Sequence, residues 1–277
     1  MTLQQVVVGT DGSLVAVRAL DWASDEAARR AAELRIVYAV PDRDEAGPVL
    51  ASAVARVRER HPGLTVTSRA VAGSPVRVLA RESEGAALTV VGTRGLSGVT
   101  GLMAGSVSLR LAARVRGPLL VVRGDHPCDG KEEVLLGLAD DSDTEAAAYA
   151  FAEAARREVG LRVLHSRTHR HITPELPSPI PATSPGQRHR DREDRAEEAV
   201  PRFSLARLEE QHPGVGVEAR TVSTGPAHAL LAATGDAAVV VIGAHRRAGR
   251  LGPQLGPVAH TLLHRSHCPV VLVPATG

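Results

Sequence analysis

The chain has 277 residues, of which 43% are hydrophobic and 23% are charged, and its formal net charge at pH 7 is +2. A charge this small and a content of only five aromatic residues argue against a nucleic-acid-binding protein, which needs a basic surface and stacking side chains. No apolar run approaches the roughly 20 residues that span a bilayer, and the first residues lack the pattern of a secretory signal. Two cysteines are too few for a disulfide framework, so we expect a cytoplasmic protein with no membrane or nucleic-acid partner.

Short β-branched segments alternate with Ala- and Leu-rich segments of helical period along the first half of the chain. Strands that are apolar throughout are typical of sheets buried on both faces, so the alternation predicts a parallel sheet covered by helices. Trp22 and Tyr38 are expected to be packing residues of this unit. The predicted strands are 5–9, 34–40, 64–70, 87–92 and 118–123, and the predicted helices lie near 13–32, 47–60, 74–84 and 105–115.

The segment Gly-Thr-Asp-Gly-Ser at 9–13 follows the first predicted strand. Because the carboxyl ends of parallel strands line the ligand crevice of such folds, Asp11 is placed to accept hydrogen bonds from a ribose hydroxyl or an adenine amine. The alternative is that Asp11 or Ser13 only caps the next helix. The two interpretations are compatible if Ser13 caps the helix and Asp11 binds the ligand.

A glycine-rich stretch at 92–108 follows a predicted strand and precedes a predicted helix. Glycines at 92 and 95 let backbone N–H groups approach a ligand closely. Gly105 and Ser106 open the helix, whose free N–H groups and positive dipole end favour an anion. We therefore favour a phosphate cradle over a simple turn, although the stretch contains neither a Walker A motif nor the dinucleotide-binding glycine pattern.

The second half of the chain repeats the landmarks of the first half in the same order. Residues 6–9 (Val-Val-Val-Gly) return as 134–137 (Val-Leu-Leu-Gly), and residues 118–122 (Pro-Leu-Leu-Val-Val) return as 269–273 (Pro-Val-Val-Leu-Val). A linker that contains Pro, Gly and Asp separates the copies. The repeat predicts two tandem α/β domains, which we place at 1–125 and 131–277.

An insertion at about 165–200 distinguishes the second half from the first. It is rich in proline and then in charge, so we predict a flexible loop that leads into a helix over 194–211. His165, His169 and His171 lie close together in the sequence. We favour an exposed polar loop over a metal site there, because no cysteine and no fixed helical frame accompany the histidines.

The spacing Gly92-x-x-Gly95, nine residues and then Gly105-Ser106 resembles the motif of the universal stress protein family. The early Val-Gly-Thr-Asp-Gly-Ser and the late Gly-Pro-Leu-Leu-Val-Val are also similar to that family, and the resemblance covers both halves apart from the insertion. It implies an α/β fold of two five-stranded parallel-sheet domains, each of strand order 3-2-1-4-5 and similar to the adenine nucleotide alpha hydrolases. It also implies that segments 119–122 and 270–273 pair within one chain as an internal pseudo-dimer.

The ATP-binding branch of this family holds ATP at the carboxyl edge of the sheet. The resemblance therefore implies a stress-response regulator that binds ATP with Mg²⁺ in its first half, with Asp11 at the ribose or adenine and the glycine-rich stretch around the phosphates. It assigns no catalytic residue and no metal ligands of the protein's own. The implied nucleotide-binding residues are Gly9, Thr10, Asp11, Ala39, Val40, Val91, Gly92, Arg94, Gly95, Gly105, Ser106, Val107 and Ser108.

The second half departs from this pattern. Proline has no backbone N–H, so Pro257 in place of Ser106 removes a main-chain donor as well as a hydroxyl. Ala139 stands where Asp11 would be, with Asp140 and Asp141 beside it. We expect one competent nucleotide site, in the first half, and a degenerate second half with a structural or partner-facing role.

Two other functions stay open at this point. One is a nucleotide-independent scaffold whose insertion recruits a partner, and a homodimer or an unidentified protein partner is compatible with either reading of the site. The other is a slow ATPase, for which the sequence offers little: His245 has no evident partner, and Lys131, the only lysine, lies at the start of the second half. Cys268 is expected to be a small buried hydrophobe, and Cys128, in the linker, to be an exposed thiol.

Overall fold

The structure is a computed structural model that describes residues 4–40, 46–93, 106–123, 133–139, 141–166, 205–222, 224–249 and 252–274. In these ranges no helix is both long and apolar enough to cross a membrane. The strands are β1 (Gln5–Thr10), β2 (Glu33–Val40), β3 (Val66–Ala72), β4 (Leu88–Gly92), β5 (Leu119–Val122), β6 (Glu133–Leu138), β7 (Gly160–Ser166), β8 (Val217–Val222), β9 (Val239–Ala244), β10 (Arg246–Gly249), β11 (Gly252–Leu255) and β12 (Val270–Pro274). The helices are α1 (Leu14–Arg29), α2 (Gly47–Arg60), α3 (Pro75–Glu82), α4 (Ser106–Ala112), α5 (Thr144–Arg157), α6 (described over 205–211), α7 (Pro226–Ala233) and α8 (Pro257–Arg265).

Ten of the strands form one continuous sheet in the order β3-β2-β1-β4-β5-β12-β9-β6-β7-β8. Each half of this order is the predicted 3-2-1-4-5 arrangement, and all pairings inside a half are parallel. The halves join where β5 pairs with β12 in antiparallel register, Leu120 opposite Val271. The predicted pairing of the last strands is therefore confirmed, and it makes a single sheet across the pseudo-dimer.

Helices cover both faces of this sheet, and successive strand residues alternate between the two layers. Val6 and Val8 of β1 face a core that includes α1, α2, α5 and α6. Val7 faces the opposite core, formed with α3, α4, α7 and α8. Trp22 is buried in the first core and Tyr38 packs at its margin, as predicted.

Helix α1 begins where its sequence indicates. Ser13 is the N-cap, and its side chain accepts a hydrogen bond from the Ala16 backbone N–H at 3.3 Å. The small apolar side chains that recur every three or four residues then lie against the sheet. They are Ala16, Ala19, Leu20, Ala23 and Ala27.

Helices α1 and α5 meet across the pseudo-dimer through a buried ion cluster that the sequence analysis did not anticipate. It is formed by Glu26 of α1, the α1 C-cap residue Arg30, and Glu153 and Arg157 of α5. Their side chains are between 1% and 9% exposed. The guanidinium of Arg157 also lies over the ring of Trp22, 5.4 Å from its centre. Charged side chains this deeply buried are retained only when they are paired, so the two helices are held in one relative position.

Several predicted boundaries need correction. The third strand begins at Val66, two residues later than predicted. Leu64 is part of a turn, because its backbone N–H donates a hydrogen bond to the His61 carbonyl. His165 belongs to β7 and not to a flexible loop; it is buried, and its Nδ1 lies 3.1 Å from the Leu138 carbonyl oxygen. A two-stranded hairpin, β10–β11, which the sequence analysis did not predict, lies between β9 and α8.

Residues 167–200 of the insertion lie outside the described residues, and so do the linker with Cys128 and the first part of the helix predicted over 194–211. His169 and His171 are among them. In the part of the chain that the structure describes, no group of three or more His, Cys, Asp or Glu side chains is arranged to hold a metal ion. Cys268 is buried, as predicted.

Candidate functional site: two crevices at the carboxyl edge

In the first half, the predicted site residues lie at the ends of three adjacent strands. Gly9 and Thr10 end β1, Val40 ends β2 and Gly92 ends β4, and β1 lies between the other two strands. Parallel strands bring their carboxyl ends to one edge, so these residues lie at the same edge of the sheet. The Val40 carbonyl already accepts a hydrogen bond from the Gly73 N–H at 3.2 Å, and its side chain is buried.

The loop after β1 holds Asp11 at the open side of this edge. Asp11 is exposed, and its Oδ1 accepts a hydrogen bond from the Ser13 backbone N–H at 3.0 Å. The Thr10 hydroxyl accepts one from the Gly12 N–H at 3.3 Å, and Gly12 has a φ of +75°, which favours glycine. The capping interpretation therefore holds for Ser13, and the Asp11 carboxylate is fixed next to the crevice.

Gly92 has a packing role in addition to any role at a ligand. A Cβ at this position would lie 2.8 Å from both Cγ1 and the carbonyl oxygen of Val15, in the first turn of α1. No real Cβ approaches other heavy atoms so closely, so the helix packs on β4 only because this residue has no side chain.

In the second half, the corresponding edge of β6, β7 and β9 contains a cavity of about 380 Å³. Its walls are mostly aliphatic and include Leu138, Leu164, Leu230 and Ile242. Asp143 and His245 supply charged and titratable side chains to the lining. Pro257 and Ala259 of α8 also line it, in the positions that Ser106 and Ser108 occupy in the first half.

Asp143 and His245 form a hydrogen-bonded pair in this crevice. The His245 Nε2 lies 2.8 Å from the Asp143 Oδ1, and the Asp143 Oδ2 accepts a hydrogen bond from the Ala139 N–H at 2.7 Å. A Cβ on Gly243 would lie 1.9 Å from Asp143 Oδ1, so this glycine makes room for the carboxylate. The sequence had suggested no partner for His245, and the structure corrects this.

A comparison of the two halves could have revealed that pair. When β1 is aligned with β6 and β4 with β9, Asp143 falls at the position of Val15 and His245 at that of Arg94. The apolar residue that packs on Gly92 is thus replaced by a carboxylate that packs on Gly243. Asp140, which sequence analysis placed beside this edge, lies outside the described residues.

Comparison with known protein families identifies the repeated unit. The family model described as "Universal stress protein family" matches residues 2–123 and again residues 132–274. The chain belongs to the universal stress protein family. A universal stress protein of Mycolicibacterium smegmatis is 31% identical over 292 aligned residues, which cover 97% of this chain and 96% of the relative.

Solved structures of universal stress proteins match either the whole chain or less than half of it. One from Archaeoglobus fulgidus matches with a TM-score of 0.67 at 17% identity, with all of both chains covered. A universal stress protein crystallised in complex with cAMP is 35% identical and matches 44% of this chain and 98% of its own, with a TM-score of 0.38.

The site that the universal stress protein motif implies is only partly within the described residues. The residues at the strand ends are Gly9, Thr10, Asp11, Ala39, Val40, Val91 and Gly92. Ser106 begins α4, Val107 is half-buried and Ser108 is buried. Arg94, Gly95 and Gly105 lie outside the described residues.

Proposed function

We propose that the first half of the chain binds an adenine nucleotide, ATP with Mg²⁺, at the carboxyl edge of its sheet, and that the nucleotide acts as a regulatory ligand in a cytoplasmic stress-response protein. The observation that carries this proposal is the position of Asp11. Its carboxylate is exposed, is fixed by the Ser13 N–H at 3.0 Å, and stands where β1 ends between β2 and β4.

The chemistry of the edge supports this ligand. A carboxylate accepts hydrogen bonds from ribose hydroxyls, whereas the sequence of the glycine-rich stretch after β4 would supply backbone N–H groups and a serine hydroxyl to phosphates. Arg94 would add a positive charge. With one lysine in the chain, phosphate binding would depend on backbone donors, hydroxyls and arginine.

Hydrolysis has less support than binding. The described histidine–carboxylate pair of the first half, His61 and Asp25 at 2.8 Å, involves the residue after the end of α2. Because helices in such units run antiparallel to the strands, α2 ends at the amino edge of the sheet, opposite the crevice. We therefore expect ATP to be bound far faster than it is hydrolysed.

Calorimetry with Mg-ATP tests the proposal, with ADP, AMP and cAMP titrated for comparison and phosphate release followed in parallel. We expect one nucleotide per chain and, for Asp11→Ala, an affinity at least tenfold lower, since a hydrogen bond to a charged group is worth roughly 1.5–3 kcal/mol. Glu59→Ala, an exposed charge loss on α2, is the matched control and should bind normally.

The following results would count against the proposal. Two nucleotides per chain, or full affinity in Asp11→Ala, would contradict a single site at the first crevice. An absence of binding for every nucleotide would favour the nucleotide-independent scaffold, and rapid phosphate release would favour the ATPase.

A further inference from the structure

The crevice of the second half has lost the features of an anion site and gained others. Pro257 has no N–H, and Ala259 has no hydroxyl. In addition, the Asp143 side chain, 2% exposed, places a negative charge in the lining. A phosphate group in this cavity would meet a buried carboxylate with fewer donors to offset the repulsion.

The pair formed by Asp143 and His245 determines which atom of the imidazole is offered to a ligand. A carboxylate only accepts hydrogen bonds, and the second oxygen of Asp143 is bonded to the Ala139 N–H. The hydrogen between the two side chains is therefore on His245 Nε2. In the neutral ring the other nitrogen, Nδ1, is then a hydrogen-bond acceptor.

This acceptor belongs to a side chain that lines the cavity. The His245 side chain is 44% exposed, and among the described residues none is hydrogen-bonded to Nδ1. The remaining polar side chains of the lining include Ser166, whose hydroxyl donates a hydrogen bond to the Thr224 carbonyl at 2.6 Å. The lining also contains Ser142, so an occupant would find mostly aliphatic walls with the Nδ1 acceptor among a few polar side chains.

We propose that this cavity is a second ligand site, which binds a small uncharged molecule that is mostly apolar and has one O–H or N–H donor. The donor bonds to His245 Nδ1, and the apolar part replaces water against Leu138, Leu164, Leu230 and Ile242. Phenols and indoles have this chemistry, whereas nucleoside phosphates do not. The site is independent of the nucleotide site proposed for the first half.

Three probes of similar size separate the contributions. Phenol has the ring and the donor, toluene has the ring without a donor, and benzoate has the ring with a negative charge. In an NMR titration of the full chain we expect phenol to bind roughly threefold to tenfold more tightly than toluene, the range for one hydrogen bond. Benzoate should bind more weakly than toluene, and phenol alone should shift the ¹⁵N resonance of His245 Nδ1.

His245→Phe keeps a ring in the lining and removes both nitrogens. We expect this variant to bind phenol and toluene equally, and His245→Gln provides a second variant should the phenylalanine perturb folding. The matched control is His61→Phe, because His61 also lies 2.8 Å from an aspartate but at the other edge of the sheet. It should keep the wild-type preference for phenol.

Any one of the following results would overturn the proposal. Equal affinity of the wild type for phenol and toluene, or a phenol preference that survives in His245→Phe, would remove Nδ1 from recognition. Tighter binding of benzoate would indicate an anion site. No saturable binding of phenol or toluene would mean that the cavity is not a ligand site, and none of these results depends on ATP binding in the first half.

Discussion

Glu26 of α1 and Glu153 of α5 lie at equivalent places in the two halves and are bridged by each other's arginines. Arg30, the C-cap residue of α1, donates to Glu153 Oε2 at 2.7 Å. Arg157 donates to Glu26 Oε1 at 2.5 Å. Each arginine also bonds the glutamate of its own half. The two halves thus exchange charged partners across their pseudo-twofold axis.

The two glutamates are not equal despite this symmetry. Burial raises the pKa of Glu26, and the nearby charge of Glu153 raises it further. Burial opposes ionisation of Glu153 too, yet Arg157, Arg30 and Arg156 lower its pKa to about 2. The contacts point the same way, because Glu153 has three guanidinium contacts at 2.6–2.9 Å whereas Glu26 has two at 3.0 Å or less.

We predict that Glu153→Gln destabilises the protein by about 3–5 kcal/mol, the range for a buried ion pair that loses one partner. Glu26→Gln should cost less, because Glu26 has two short guanidinium contacts whereas Glu153 has three. Denaturant unfolding at pH 7 measures both. Equal losses in the two variants would contradict the asymmetry.

The same cluster predicts a loss of stability in acid. The folded-state pKa of Glu153, about 2, lies below its ordinary value of 4.5, so the unfolded chain takes up this proton first. The contribution of Glu153 is present above pH 4.5 and disappears as the pH falls toward 2. The difference in unfolding free energy between wild type and Glu153→Gln should shrink over that interval, and a constant difference would show that the charge has no role.

Gly92→Ala should destabilise the protein in the absence of any ligand. The new Cβ would meet the Val15 carbonyl oxygen at 2.8 Å, and overpacking of this kind costs about 1–3 kcal/mol. Gly63→Ala is the control, because a Cβ there has no heavy atom within 4 Å. Thermal unfolding compares the two, and an unchanged midpoint for Gly92→Ala would mean that α1 does not pack on β4 as described.

A double-mutant cycle tests the corresponding position of the second half. Gly243→Ala should be strongly destabilising in the wild type, where the Cβ would lie 1.9 Å from Asp143 Oδ1. In an Asp143→Ala background that clash is gone, so we expect a coupling energy of about 2 kcal/mol or more. Val15→Ala should not rescue Gly92→Ala to the same extent, because the clash with the backbone oxygen persists. Additive effects at Gly243 and Asp143 would contradict the placement of the carboxylate.

The sequence predicted the parts of the fold that arise from local pattern. The apolar period of α1 and its cap at Ser13 indicated the first helix, and the repeated strand segments indicated two copies of one α/β unit. The resemblance to the universal stress protein family indicated which strands meet. The ion cluster and the pair of Asp143 with His245 were not predicted, because each joins residues about 100 or more positions apart whose packing no local pattern specifies. His165 was misassigned because the proline-rich residues after it obscured the end of β7.

The two halves that join at the antiparallel pair of β5 and β12 belong to one chain, and this has a genetic consequence. In a dimer of identical chains, every substitution appears at both crevices, so neither can change its chemistry alone. Here the two halves are covalently one chain, and a single codon alters one crevice while the other is untouched. Val15 beside Gly92 and Asp143 beside Gly243 show that equivalent edges of the two halves already carry different residues within one chain.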